Sequence, residues 1–171
     1  MPNWVKNIVH AYKSDTDFEK FVGDEGRFTF EKIIPMPDNI FRGAIGSAEK
    51  EKYGKDNWYD WSLAHWGTKW DACEPEVIDG STVMFETAWS CPLPVLRELA
   101  KKVGGLIVMY ADEADYNNTG CLAINDKGQV KDLGGGAVIY FTVYSRGDVE
   151  DREDVFCEFD WVFEREDEFD E

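Results

Sequence analysis

His65 is one of two histidines in this 171-residue chain, and it is the residue best suited to move a proton near neutral pH. It lies in WYDWSLAHWGTKWD, residues 58–71, with Asp60 five positions before it and Asp71 six after it. Either carboxylate is close enough in sequence to orient the imidazole. No Ser or Cys sits in a nucleophile elbow or a similar motif, and Cys73 is merely nearby. A histidine satisfied locally at a helix end is the plainer reading. His65, Asp60 and Glu74 have no recognised metal-ligand spacing, so neither a metal nor a cofactor is expected.

The same stretch carries Trp58, Trp61, Trp66 and Trp70, four of the chain's seven tryptophans. On a helix, Trp58, Trp61 and His65 share one side at spacings of three and four. Four indoles can bury several hundred Å² at about 200 Å² each, so they are expected to cap the open face of a sheet. The alternative is an aromatic pocket of Trp58, Trp61, Trp66 and Trp70 around His65. It would serve as a small-ligand binding module or a small enzyme with His65 and Asp60 as its acid/base pair. In the sheet-capping arrangement Lys69 would bond locally or pair with Asp71.

Two further patterns invite chemistry and lack a required part. Gly134-Gly135-Gly136 is not followed by Lys-Ser/Thr and a helix, as a phosphate loop demands. Asp112, Glu113, Asp115, Asn117 and Asn118 do not follow the ligand order of an EF-hand, and a solvated turn is expected there. Cys73, Cys91, Cys121 and Cys157 form no CxxC pair, which argues for reduced core thiols.

Charge is the largest anomaly. The net charge is −17, and residues 148–171, with 13 acids and two bases, contribute −11 of it. Such a field repels nucleic acid phosphates and anionic membranes and attracts basic partners. Asp148, Glu150, Asp151, Glu153, Asp154, Glu158, Asp160 and Glu164 would fall on a loop, a strand face and a tail. Residue spacing along a strand is close to the roughly 3.4 Å phosphate spacing of a nucleic acid strand, so this array could imitate nucleic acid. A solvated face that only confers solubility is the other reading.

These residues need elements to hold them. Residues 3–12 read as a strand, a helix capped by Ser14 or Asp15 presents Phe18, Phe21 and Val22, and RFTFEKII (27–34) reads as a second strand. Residues 35–80 are irregular, with short helices at 47–53 and 58–65, the latter closed by Gly67. A second β-α-β unit follows: strand 81–89, amphipathic helix 92–103 stopped by Gly104-Gly105, and the apolar strand LIVMYA (106–111). Hairpin strands 120–125 and 129–133, then 138–144 and 155–163, make an antiparallel meander that ends in a frayed REDEFDE tail. The expected fold is a single α+β domain over 1–171, a ferredoxin-like βαββαβ sandwich with an irregular Trp-rich insertion (35–80) and a C-terminal meander. No apolar run is long enough to span a bilayer and no signal peptide is evident, so a cytoplasmic location is expected.

The opening MPNW, FEKIIPMP, WYDWSLAHWGTKWD and FETAWSCPLPVLRELA, in this order over residues 1–104, resemble the YubB-like proteins of phages and plasmids. That resemblance implies a ferredoxin-like domain and a mobile-element setting in a bacterial host, and it assigns no catalytic role. Combined with the acidic end, it favours a non-enzymatic inhibitor that occupies a basic nucleic-acid-binding host defence protein, such as a CRISPR effector, nuclease or restriction enzyme, by nucleic-acid mimicry.

Overall fold

A computed structural model describes residues 2–13, 15–135 and 169. Strand β1, Trp4–Ala11, alternates strictly: Val9 and Ala11 join the core on one sheet face, and Ile8 joins a second core on the other. It sits at the centre of a six-stranded sheet. The other strands are β2 (Cys73–Asp79), β3 (Thr82–Ala88), β4 (Leu106–Asp112), β5 (Thr119–Ile124) and β6 (Val130–Gly134). Their order is β2-β3-β1-β4-β5-β6, with every neighbouring pair antiparallel. It follows that β1 and β2 run the same way with β3 between them, and β3 and β4 the same way with β1 between them. Two interleaved crossovers of this kind define a ferredoxin-like α+β sheet.

Two α-helices, α1 (Ser47–Tyr53) and α2 (Trp58–His65), lie in the long first crossover, and α3 (Leu93–Val103) forms the second. Pro94 in the first turn of α3, Lys101 and Lys102 in its last, and left-handed Gly104 at its end match the expected stop signals. Val95, Leu96, Leu99 and Ala100 form its buried stripe. No described helix is long and apolar enough to cross a membrane.

The helix-covered face holds a continuous set of rings. Phe28 stacks on Phe85 at 5.7 Å, Phe30 meets Phe85 edge-on at 5.3 Å, and Trp66 meets Phe30 at 6.0 Å and Trp61 at 5.3 Å. On the opposite face Ile8, Ile107, Met109, Ala111, Cys121 and Ala123 are equally buried, with Met84, Leu133 and Phe169 packed against them. The apolar run Leu106–Met109 of β4 is explained by this burial on both sides. Phe169 packs partly buried against this second core, and the other residues of the REDEFDE end, expected to be frayed, lie outside the described residues.

Three local expectations fail for identifiable reasons. The helix expected from Ser14 shrinks to a 3-10 turn, Phe18–Phe21, capped by Asp17, because the buried Phe18 has its N–H bonded to the Gly80 carbonyl of the β2–β3 turn. The strand expected over 27–34 reduces to a bridge between Val22 and Phe28 and a 3-10 turn, Phe30–Lys32. Its Phe30 N–H is bonded to the Asp71 carboxylate at 2.7 Å, and the Thr29 hydroxyl takes the Glu31 N–H, so neither group is left for a ladder. Sheet strand β2 lies instead inside 35–80. Its Pro75 and alternating Glu74 and Glu76 mark an edge strand, where a missing N–H costs no ladder bond and charge deters further pairing. Glu74 has φ +46° and sits at a break in register between Cys73 and Glu76, a bulge. The strands expected at 138–144 and 155–163 lie outside the described residues.

Candidate functional site

The tryptophan-rich stretch separates into two regions. Helix α2 begins at Asn57, whose side chain accepts the Asp60 N–H at 3.0 Å and donates to the Asp60 carboxylate at 2.6 Å. Trp61 and Trp66 then point into the core, 7% and 4% exposed. Trp66 donates its indole N–H to the Ile34 carbonyl at 3.0 Å, and Trp58 donates to Gly43 at 3.0 Å. These three rings are scaffold, as expected of a cap on the sheet.

Trp70 belongs elsewhere. Gly67 turns the chain at φ +82°, where a Cβ would lie 2.4 Å from Pro94 Cδ, so this turn requires glycine. Thr68 then anchors to the end of β3, exchanging hydrogen bonds with both the N–H and carbonyl of Ala88 at 3.2 Å. Ser90 donates to the Gly67 carbonyl at 3.0 Å. Held this way, Trp70 lies between Trp4 of β1 and Trp89, with ring centroids 5.9 and 6.5 Å away and interplanar angles of 30° and 22°.

Trp89 is the outlier of this stack. It is 46% exposed and has φ +67°, a left-handed backbone that a large side chain adopts at a cost of about 1–2 kcal/mol. Both of its backbone groups are tied: the N–H donates to Asn3 at 2.9 Å, and the carbonyl accepts from the Asn118 side chain at 3.0 Å. Asn118 also donates to Asp112, whose carboxylate takes the Ala114 and Asp115 N–H groups. The acidic loop is the exposed turn expected over 113–117, and through Asn118 it also clamps Trp89 in place.

Lys69 completes the patch. Its ammonium lies 4.2 Å from the Trp70 ring centroid, 5.6 Å from Trp89 and 5.9 Å from Tyr59 at the start of α2. It pairs with no carboxylate among the described residues. Of its two expected arrangements, the pairing with Asp71 does not form, because Asp71 accepts from the Thr29 hydroxyl and, at 2.7 Å each, from the Phe30 and Ala72 N–H groups.

His65 and Asp60 do not form the expected acid/base pair. Five residues apart on a helix is about 140° of rotation, so the two side chains leave α2 in different directions. The His65 ring stacks on Trp61 at 4.3 Å, its Nδ1 lies 2.8 Å from the Trp61 carbonyl, and the Asp60 carboxylate belongs to Asn57. A hollow of about 470 Å³ does adjoin His65, lined by Ile33, Ile34, Pro35, Ala64 and Pro94 among others. The carboxylate lining it is Glu98, and none of the four tryptophans lines it.

The described cysteines are free thiols held in their protonated form. Burial pushes Cys121 up to about 12 and raises Cys91 further. Cys73 is raised by burial first and then by the charges of Asp71, Glu86 and Glu74. A protonated thiol is a poor nucleophile. Among the described residues no group of three or more His, Cys, Asp or Glu is arranged to hold a metal ion. The acids Asp148, Glu150, Asp151, Glu153, Asp154, Glu158, Asp160 and Glu164 lie outside the described residues.

Sequence reasoning located Trp70 but not its partners. Trp4 and Trp89 lie 66 and 19 residues from it, and only the pairing of β1 with β3, Trp4 opposite Ala88, brings the three together. The left-handed backbone of Trp89 left no signal in its residue type.

Residues 65–137, from the end of α2 through β6, match a protein family described as a ferredoxin-like domain in Api92-like protein. No curated protein and no solved structure gives a significant match. The matched segment is less than half of the chain and includes Trp70, Trp89, Asp112 and Asn118, so the chain is similar to this ferredoxin-like family over the part that builds most of the aromatic stack.

Proposed function

We propose that this protein acts by binding, and that the Trp4–Trp70–Trp89 stack with Tyr59 and Lys69 is its contact surface for a basic protein partner. The observation that carries this reading is Trp89: a strained backbone, tied from both sides, holds a large apolar ring half in solvent. Folding gains only part of what a fully buried indole supplies and gives some of it back as backbone strain, whereas exposed tryptophan is enriched where partners bind. The −17 field supplies long-range attraction toward a basic partner. Affinity capture from bacterial host lysate at low salt should recover a basic protein with the wild type and not with Trp89→Asn. Equal recovery by both would overturn the assignment of the surface.

A second reading is favoured by the uneven charge. The −11 carried by residues 148–171 supports nucleic-acid mimicry against a host defence protein, in the bacterial cytoplasm, and the resemblance to YubB-like phage and plasmid proteins supports that setting. Under it, converting the eight acids from Asp148 to Glu164 to amides abolishes capture, and Trp89→Asn leaves it unchanged. We also read β1 to β4 with their crossovers as the βαββαβ unit of the fold, the residues from 35 up to β2 supplying the Trp-rich insertion and β5 and β6 the start of the meander. An enzyme centred on His65 has less support, since its Nδ1 is engaged by the Trp61 carbonyl and its expected partner Asp60 by the Asn57 cap.

A further inference from the structure

The position of Lys69 bears on what the aromatic surface takes. An ammonium group held by three rings, Tyr59, Trp70 and Trp89, within 6 Å of each centroid occupies the geometry of a cation receptor. Yet this cation belongs to the chain itself, on a flexible four-carbon stem that can swing away. Nothing in the geometry needs an ammonium in particular, and the near-parallel Trp70 and Trp89 faces, 22° apart, suit a flat guanidinium better. Trp89 stands half in solvent and so leaves one wall of the receptor open to a visitor. A chain of net charge −17 has little reason to keep a lysine on its most aromatic surface for solubility.

We infer that Tyr59, Trp70 and Trp89 form a receptor for an arginine side chain of the partner protein, and that Lys69 is a placeholder displaced when the guanidinium enters. The inference rests on the binding role proposed above and specifies its chemistry. Displacement explains how the surface stays satisfied when free: Lys69 covers the rings until a better-stacking cation replaces it. It also makes the surface selective, because a neutral side chain cannot offset the loss of the Lys69 contact.

The test is a titration of the full chain, ¹⁵N-labelled, with three capped tripeptides: Gly-Arg-Gly, Gly-Lys-Gly and Gly-citrulline-Gly. Citrulline keeps the shape of arginine and removes the charge. The Arg peptide should move the Trp70 and Trp89 indole N–H signals saturably, with the weak half-saturation, roughly tens to hundreds of millimolar, expected of one exposed cation–π contact. The citrulline peptide should not, and the Lys peptide should act more weakly. Lys69→Gln, which removes the competitor, should bind the Arg peptide about 3–10-fold more tightly. Trp89→Asn, which removes an open wall at a position where asparagine tolerates the left-handed backbone, should lose the response while keeping its far-UV circular dichroism. Equal shifts with citrulline, unchanged or weaker binding by Lys69→Gln, or no saturation in either protein would each overturn the inference. Failure here with Trp89-dependent capture intact would refute the guanidinium alone, whereas loss of both would refute the surface.

Discussion

The buried ring cluster and the surface stack are both built from aromatic residues and obey opposite rules. In the cluster, Phe28, Phe30, Phe85, Trp61 and Trp66 meet at 5.3–6.3 Å, mostly edge-to-face. Its indole N–H from Trp66 is satisfied within the fold, and its members have ordinary backbones. In the stack, the rings lie closer to parallel at 5.9–6.5 Å, a cation rests against them, and the outermost residue is strained. Burial stabilises the first region, about 1.5–3 kcal/mol for each fully buried side chain. The second gives up part of that gain and keeps a left-handed tryptophan. The contrast teaches that aromatic density alone does not mark a site; exposure maintained against backbone strain does.

Substitution should separate the two regions most sharply at Phe30 and Trp89. Phe30→Ala removes a ring that touches Phe28, Phe85 and Trp66, and it should cost about 3–5 kcal/mol, read as a lower midpoint in chemical denaturation. Trp89→Asn loses the burial of about half an indole, roughly 3 kcal/mol, and recovers about 1–2 kcal/mol of backbone strain. Its net loss should be about 1–2 kcal/mol. If Trp89→Asn destabilises as much as Phe30→Ala, the stack is core and the contrast breaks.

Asp71 joins the two regions, following Trp70 in sequence while fastening the Phe30 segment. Asp71→Ala strips the acceptor from the Phe30 and Ala72 N–H groups and the Thr29 hydroxyl, and should cost about 2–3 kcal/mol. Hydrogen exchange at the Phe30 and Ala72 amides should accelerate, while the Trp89 amide, bonded to Asn3, should not. Acceleration at all three would show that core and stack open together.

This clamp also explains what was legible in the sequence. Elements whose stabilising signals are local formed where the residues indicate: α1, α2 and α3, the β4 run, and the hairpin of β5 and β6 around Asp126-Lys127-Gly128. Phe28, Phe30 and Ile33 were legible as core residues but not as a 3-10 turn, because the deciding acceptor, Asp71, lies 41 residues from Phe30. Edge strand β2 was hidden by Pro75 and its glutamates, which oppose strand propensity at any position except an edge. The site was half legible: Trp70 and Lys69 stand in the stretch that draws the eye, but Trp4 and Trp89 reach it only through sheet register.

The smallest expected effect lies in the β2–β3 turn, remote from both ring systems. Burial raises the Asp79 carboxyl, but hydrogen bonds from the Ser81 hydroxyl and N–H, then Thr82 and the charge of His10, together outweigh it and hold the group below its ordinary value. A depressed carboxyl releases its proton more readily in the folded state, so its contribution is present above the ordinary carboxylate range and disappears as pH falls through the lowered value. The Tm difference between wild type and Asp79→Ala should therefore be constant above about pH 5 and shrink toward pH 3, corresponding to under about 1 kcal/mol at this part-buried, solvent-screened site. Across the same range the fluorescence of the Trp70–Trp89 stack should not change, since Asp79 touches neither ring. A stack signal that followed the Asp79 titration would mean that the strained tryptophan is coupled to the turn through β3, and that its exposure is governed by the sheet as well as by its own two backbone ties.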